Sequence, residues 1–75
     1  MFVGKRMDEL CILKGISLRE LAERSGISVV VLSRIKNSKN NGTLGAHMKI
    51  TQALGVDLVE LYKDPANKAV KRERH

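Results

Sequence analysis

Cysteine is almost absent from this sequence, since Cys11 is the only one among 75 residues. A lone cysteine cannot form an internal disulfide, and with His47 and His75 as the two histidines no set of zinc ligands has a usable spacing. We therefore expect no metal and no cofactor. A chain of this length makes one domain, which we expect to be stabilised by helix packing and self-association. Cys11 is expected to be an inert small hydrophobic residue.

Aromatic side chains are also scarce, because Phe2 and Tyr62 are the only two. Single-stranded nucleic acid is therefore disfavoured as a partner, since its bases stack on aromatic platforms. No apolar run approaches the ~20 residues of a membrane span. The N-terminal segment MFVGKRM lacks the apolar run of a signal peptide. These features indicate a cytoplasmic protein.

Acidic residues are missing from one long stretch of the chain. No Asp or Glu occurs from Arg24 to Val56, and the whole chain has a net charge of +6. The basic residues of that stretch are Arg24, Arg34, Lys36, Lys39 and Lys49. A one-sided positive surface favours a polyanionic partner such as nucleic acid. A solvated basic face without a partner has the same composition and remains an alternative.

Helical periodicity and capping residues predict an all-α chain of five helices. The first helix ends at Gly15. The second begins at the capping box Ser17–Glu20 and ends at Ser25-Gly26. Ser28 is expected to cap a third helix that runs through about Lys36.

The second half of the chain contains the signals for two further helices. Thr43 is predicted to cap the fourth helix, and Asp57 with Glu60 forms a capping box for a short fifth helix. The expected inward residues of the fourth helix are Leu44, His47, Ile50, Thr51 and Leu54. We expect His47 to be a half-buried, hydrogen-bonded histidine, because no carboxylate, thiol or second histidine has the spacing to act with it.

The spacing of small and apolar residues indicates a helix-turn-helix in residues 17–43. Ala22 allows two short helices to approach closely, and Gly26 can adopt the positive φ that the turn requires. Three apolar residues then anchor the following helix on the core, namely Ile27, Leu32 and Ile35. The opposite face of that helix is left for a partner.

Four segments of the chain resemble the Cro/cI-type (XRE-like) helix-turn-helix family of phage repressors and small bacterial regulators. They are VGKRMDEL, KGISLRELAERSGIS, LSRIKNSK and TLGAHMKITQALGVDLVELY, which together run from Val3 to Tyr62. The resemblance implies a compact five-helix, lambda-repressor-like DNA-binding domain. It also implies that the domain binds operator DNA as a dimer, with the second helix of the motif in the major groove.

The chain departs from the pattern of that family at several positions. Leu18 stands where the family often has a DNA-contacting Gln. Cys11 and Lys36 stand where the family commonly pairs an Arg with a Glu. Ser38 and Gly42 replace a common Gly and a common Pro around the loop after the third helix. These differences concern the choice of operator more than the scaffold.

The outward face of the third helix is expected to contact DNA. The predicted base contacts are Ser28, Val29, Val30 and Arg34. Polar residues are common in the family at the positions of Val29 and Val30. These two valines can contact thymine methyl groups in the major groove or, alternatively, form part of a protein-binding surface. Arg34 suits either guanine or a phosphate. The predicted phosphate contacts are Ser17, Leu18, Ser33, Asn37, Lys39, Asn41 and Thr43.

Two apolar segments are candidates for self-association. The predicted dimer interface, at and beside the fifth helix, consists of Val56, Leu58, Val59 and Tyr62. The first helix is the second candidate, because the consecutive residues 11–13, Cys-Ile-Leu, cannot all face inward.

These observations together predict a DNA-binding domain over residues 1–63, followed by a basic tail over residues 64–75. The expected function is that of a sequence-specific, double-stranded-DNA-binding transcriptional regulator that binds a palindromic operator as a homodimer. No catalytic constellation can be assembled, so we do not expect an enzyme. The alternative is a protein-interaction module on the same scaffold, of the antitoxin or anti-repressor type, with weak or no operator reading.

Overall fold

The computed structural model describes residues 3–65, which form the five helices that the sequence predicts. The helices are α1 (Val3–Lys14), α2 (Leu18–Ser25), α3 (Val29–Lys36), α4 (Leu44–Leu54) and α5 (Leu58–Leu61). Residues 3–65 contain no strand, so the all-α prediction is confirmed for this part of the chain. Most of the predicted basic tail, residues 66–75, lies outside the described residues, while Pro65 is buried.

Hydroxyl caps determine where three of the helices begin. The side chains of Ser17, Ser28 and Thr43 each accept a hydrogen bond from the backbone N–H three residues further on, at 3.1, 3.2 and 3.2 Å. Each cap satisfies one of the backbone donors that have no partner inside the first turn of a helix. The predicted starts of α2, α3 and α4 are therefore confirmed together with their cause.

The two predicted capping boxes are incomplete. The Asp57 side chain makes no capping hydrogen bond, and the Glu60 carboxylate turns instead to Arg6 and Lys63. In α2 the Glu20 carboxylate accepts from Arg24 at 2.6 Å, one helical turn further along. In both helices a basic side chain within reach competes for the acid, because a charged hydrogen bond is stronger than a bond to a backbone amide.

One apolar core fills the space between the helices. Its buried members are Val3, Met7, Leu10, Cys11, Leu21, Leu32, Ile35, Ile50, Leu54 and Leu61. The inward prediction for α4 is correct for His47, Ile50, Thr51 and Leu54. It is wrong for Leu44, which is 60% exposed because it is the first residue of the helix and lies before the buried residues, which begin at His47. Among residues 3–65, no helix has the length and apolar character needed to cross a membrane.

The backbones of α1 and α3 touch at Gly4. A Cβ atom added to this buried residue would lie 1.9 Å from the carbonyl oxygen of Ile35 and 3.0 Å from that of Lys36. The first turn of α1 is thus packed directly against the last turn of α3. No other residue type fits there, because the obstructing atoms belong to the backbone and cannot rotate away.

A cluster of charged side chains holds α1 against α5. The Arg6 side chain, 11% exposed, donates to the backbone carbonyl of Glu60 at 2.6 Å and to its carboxylate at 3.2 Å. Arg6 also pairs with Glu9, and Lys63 donates to Glu60 at 2.9 Å. Hydrogen bonding from Lys63, together with the charges of Lys63 and Arg6, holds the pKa of Glu60 below its ordinary value of 4.5.

We predict that Gly4→Ala destabilises the domain by about 1–3 kcal/mol, because the added methyl group overpacks the contact between α1 and α3. Gly45→Ala is the matched control, since Gly45 is exposed in α4 and its Cβ would meet only Thr43 Oγ1, at 3.7 Å. That control should gain about 0.5–1 kcal/mol from helix propensity. Urea unfolding followed by circular dichroism measures both changes. Equal stabilities for the two variants would contradict the close approach.

We predict that Glu60→Gln lowers the melting temperature at neutral pH, because it removes the carboxylate that joins Arg6 and Lys63. A lowered pKa means that this stabilisation is fully present above pH 4.5 and is lost as the pH falls through the lower value of the folded state. The difference between variant and wild type should therefore shrink in acid. Glu23→Gln, an exposed change in α2, should leave the melting curve unchanged at every pH. A constant difference for Glu60→Gln down to pH 2 would refute this linkage.

Candidate nucleic-acid interface

The turn between α2 and α3 has the conformation that its glycine predicts. Gly26 has φ 77° and ψ 11°, the left-handed region, and its N–H donates to the carbonyl of Ala22 at 2.9 Å. The Ser25 hydroxyl accepts from the N–H of Ile27 at 3.2 Å, and Ile27 packs partly against the core. Ser28 then caps α3. The helix-turn-helix geometry thus follows from a left-handed glycine and two serine hydroxyls.

Three valines form the exposed first turn of α3. Leu32 and Ile35 attach the helix to the core, with 0% and 1% of their surface exposed. With 3.6 residues per turn, Val30 points directly away from these two anchors and is 64% exposed. Val29 and Val31 flank it and are 41% and 39% exposed. The outward positions of Val29 and Val30 are as predicted, and Val31, which was not among the predicted contacts, is exposed beside them.

A polar cleft continues this face toward the C-terminal end of α3. Its lining residues are Ser33, Arg34, Asn37, Lys39 and Asn40. The first four were predicted as DNA contacts, and the fold brings them together. The Asn37 amide donates to the Ser33 hydroxyl at 3.5 Å, and the N–H of Lys39 donates to the carbonyl of Arg34 at 2.8 Å.

The sequence analysis missed Asn40, whose side-chain oxygen accepts from the N–H of Gly42 at 2.7 Å. This bond orders the loop between α3 and α4 beside the cleft. The Asn-Asn-Gly segment was a visible turn signal, but only the structure assigns the bond to the first of the two asparagines.

The basic residues of the acid-free stretch divide into paired and unpaired groups. Arg24 pairs with Glu20 at 2.6 Å, and Lys36 lies 3.7 Å from Asp8 on α1. Arg34, Lys39 and Lys49 are exposed, and within residues 3–65 they have no ion-pair partner. Two of these three line the cleft beside the valines. Their charges are therefore available to an anionic ligand.

The predicted phosphate contacts at helix starts have specific local roles. Ser17 and Thr43 use their oxygens as caps, which leaves each hydroxyl proton free to donate to a phosphate. The Leu18 side chain packs partly against the core, so only its backbone N–H can face an anion. Asn41 is exposed, and its backbone carbonyl is held by a histidine of α4.

That histidine, His47, is 7% exposed and bonded at both ring nitrogens. Nε2 lies 2.6 Å from the carbonyl oxygen of Asn41, and Nδ1 lies 2.8 Å from the Tyr62 hydroxyl. A carbonyl only accepts, so Nε2 is the ring nitrogen that donates to Asn41, and in that tautomer Nδ1 accepts from the tyrosine O–H. The predicted hydrogen bonding of His47 is confirmed, but the ring is buried and not half-buried, because it joins the α3–α4 loop to the end of α5.

Cys11 of α1 is buried in the apolar core, close to the Asp8–Lys36 pair. Burial raises the pKa of its thiol; the Asp8 carboxylate raises it further, and Lys36 opposes both effects. A neutral thiol is a poor nucleophile, in agreement with the inert role that we expect from the sequence. Within residues 3–65, no three His, Cys, Asp or Glu side chains are grouped so that they could hold a metal ion.

The residues predicted for dimerisation differ in exposure. Val59 is 61% and Tyr62 36% exposed, whereas Val56 and Leu58 are half-buried, with Val56 packed against the core. On the second candidate surface, Ile12 and Leu13 of α1 are 69% and 71% exposed. The fold therefore leaves apolar surface open on both α1 and α5.

Comparison with known proteins gives a family match and two regulators. The chain is 31% identical over 62 residues to the HTH-type transcriptional regulator PuuR of Escherichia coli (strain K12), and equally to the protein of that name from Shigella flexneri. Each match covers 83% of this chain and 34% of the relative, so the chain spans about a third of the length of these curated relatives. No solved structure matches the chain. The family model of the Cro/C1-type HTH DNA-binding domain matches residues 6–67 of this chain. This range includes α2, α3 and the cleft. The chain therefore belongs to the family of Cro/C1-type helix-turn-helix DNA-binding domains.

Proposed function

We propose that the chain is a sequence-specific transcriptional regulator that binds double-stranded DNA with α3 in the major groove. The observation that carries this proposal is the outward face of α3, where exposed valines lead into a cleft containing Arg34 and Lys39, two cations without an ion-pair partner among residues 3–65. No carboxylate occurs in the sequence from Arg24 to Val56 to oppose the field of a phosphate backbone. The family is one of DNA-binding regulator domains and not of enzymes, so the prediction of a non-enzyme is confirmed.

The contacts divide by the chemistry that each side chain offers. Four residues at or beyond the start of α3 are assigned to base edges, namely Ser28, Val29, Val30 and Arg34. The residues assigned to phosphates are Ser17, Leu18, Ser33, Asn37, Lys39, Asn41 and Thr43. In this arrangement the phosphate contacts fix the position of the domain on the duplex, and the few base contacts select the site.

We propose further that two copies bind a palindromic operator through α5. Leu61 is fully buried and fixes α5 on the core, which directs Val59 outward, while the Tyr62 ring turns back to His47 and stays 36% exposed. A two-fold pair of helix-turn-helix domains reads half-sites about one helical turn apart, roughly 34–36 Å. The PuuR relatives are transcriptional regulators, which supports the same role here, and such a regulator would act in the cytoplasm.

We predict that Arg34→Ala weakens binding to a selected duplex by about 5- to 150-fold, the range for loss of one bidentate base contact. The duplex comes from selection of a random library at fixed salt, and fluorescence anisotropy gives the affinity. Arg24→Ala is the matched control, because Glu20 already neutralises that guanidinium. If Arg34 holds a phosphate, the loss will be uniform across sequences and the salt slope will fall by about one. Full affinity of Arg34→Ala at moderate salt would remove this residue from the interface.

We predict that Val59→Glu weakens dimerisation at least about tenfold, because the interface would then bury an unpaired carboxylate. Leu13→Glu, at an equally exposed apolar site on α1, should leave dimerisation unchanged. Sedimentation equilibrium of the full chain, alone and on the selected duplex, measures both. The opposite pattern would assign the interface to α1, and a wild-type chain that stays monomeric in both conditions would eliminate the homodimer.

A further inference from the structure

The first turn of α3 carries almost no hydrogen-bonding side chain. Residues 29–32 read Val-Val-Val-Leu, and the three valines are the exposed ones. The nearest polar side chains on the helix face are Ser28, whose oxygen accepts from the N–H of Val31, and Ser33 and Arg34, about one turn beyond Val30. A helix that enters the groove by this end presents methyl groups to the bases.

The major groove offers one apolar feature among polar ones. The edges of G, A and C present donors and acceptors, and thymine adds the C5-methyl group to an acceptor. A valine over a donor or an acceptor leaves that group without a partner, which costs free energy, whereas a valine over a methyl group buries apolar surface. The first turn of α3 therefore favours a C5-methyl group.

The surroundings of the valines favour DNA as the occupant rather than an apolar protein surface. The same helix face continues into the cleft with Arg34 and Lys39, both without an ion-pair partner within residues 3–65. An apolar spot bordered by free cations is complementary to a groove floor bordered by phosphates. A protein partner would need acidic groups at that spacing around an apolar centre.

We infer that α3 selects its site by the C5-methyl group of pyrimidines, and thus accepts 5-methylcytosine as well as thymine at the positions facing Val29 and Val30. This inference rests on the proposed function, since it requires α3 to lie in the major groove. The methyl group has the same position on both bases, and an apolar side chain does not sense the exocyclic group that distinguishes them. Binding is consequently sensitive to cytosine methylation at those positions.

The test compares duplexes that differ by one methyl group. In the selected site, each thymine is replaced in turn by deoxyuridine, which removes the methyl group. At each of these positions a second pair of duplexes carries either cytosine or 5-methylcytosine, with guanine on the opposite strand. Wild type should bind the methylated member of each pair about fourfold more tightly at the positions facing the valines, the factor for burying one carbon group. The same pairs outside the bound site should give equal affinities.

Val30→Ala completes a double-mutant cycle, because it removes methyl groups from the protein side. Val30 is exposed and alanine is a better helix former, so folding should be preserved, which circular dichroism checks. In this variant the methylated and unmethylated members should bind almost equally at the position facing Val30, and the preference should remain at the position facing Val29. Arg34→Ala should weaken all duplexes and keep the methyl preference at both positions. Equal wild-type affinities for both members of every pair, on a duplex that does bind, would overturn this inference and leave the proposed function standing. Failure of the wild type to bind any duplex would overturn both.

Discussion

The attachment of α3 to the core through Leu32 and Ile35 determines how every other side chain of this helix is used. An eight-residue helix makes little more than two turns, and these two residues occupy its inner face completely. The backbone of α1 at Gly4 closes off the last turn, because it leaves no space for a side chain against the Ile35 carbonyl. The helix can therefore neither rotate nor tilt without losing a fully buried contact. Its outer face is presented rigidly, which is a requirement for reading a groove.

Charge pairing on the scaffold removes some cations and leaves others. Lys36 lies near the position where the family commonly has a glutamate, and it meets Asp8 of α1 at 3.7 Å. The familiar ion pair between the first and third helices is thus replaced by one of reversed sign, built from a residue one turn earlier on α1. Both partners are about 40% exposed, so the pair contributes little to stability. Its consequence is electrostatic, because Lys36 is partly neutralised, while Arg34 and Lys39 have no acidic partner in the part of the chain that the structure describes.

The parts of this fold that depend on local chemistry could be predicted from the sequence. The hydrogen bonds of the hydroxyl caps and of the left-handed glycine join residues at most four positions apart, so short sequence motifs predict them. These residues are Ser17, Ser28, Thr43 and Gly26. The parts that depend on distant contacts could not. Arg6 meets Glu60 across 54 positions, and nothing near either residue indicates the other. Because the Glu60 carboxylate bonds with Arg6, it does not form the expected capping box.

The loop after α3 illustrates a partial prediction. Ser38 was recognised as a replacement for a common glycine, and it adopts φ 63°, a left-handed conformation that glycine reaches without strain. The backbone requirement of the family is therefore retained, although the residue that usually meets it is absent. The N–H groups of Ser38 and Lys39 both bond back to carbonyls of α3, at 3.1 and 2.8 Å, which compensates for the strain. Local pattern identified the position, and tertiary context determined the conformation.

The apolar first turn of α3 has a consequence for the selectivity of the proposed DNA complex. Each methyl contact discriminates by a modest factor, so affinity must come mainly from phosphates, and phosphate affinity is shared by every sequence. With two methyl contacts per copy and two copies on a palindrome, a factor of about four per contact multiplies to about 250. Pairing through the exposed side of α5 would therefore increase specificity as well as affinity. In the proposed complex, a rigid α3 and a two-fold arrangement would together take the place of the hydrogen-bonding side chains that Val29 and Val30 do not provide.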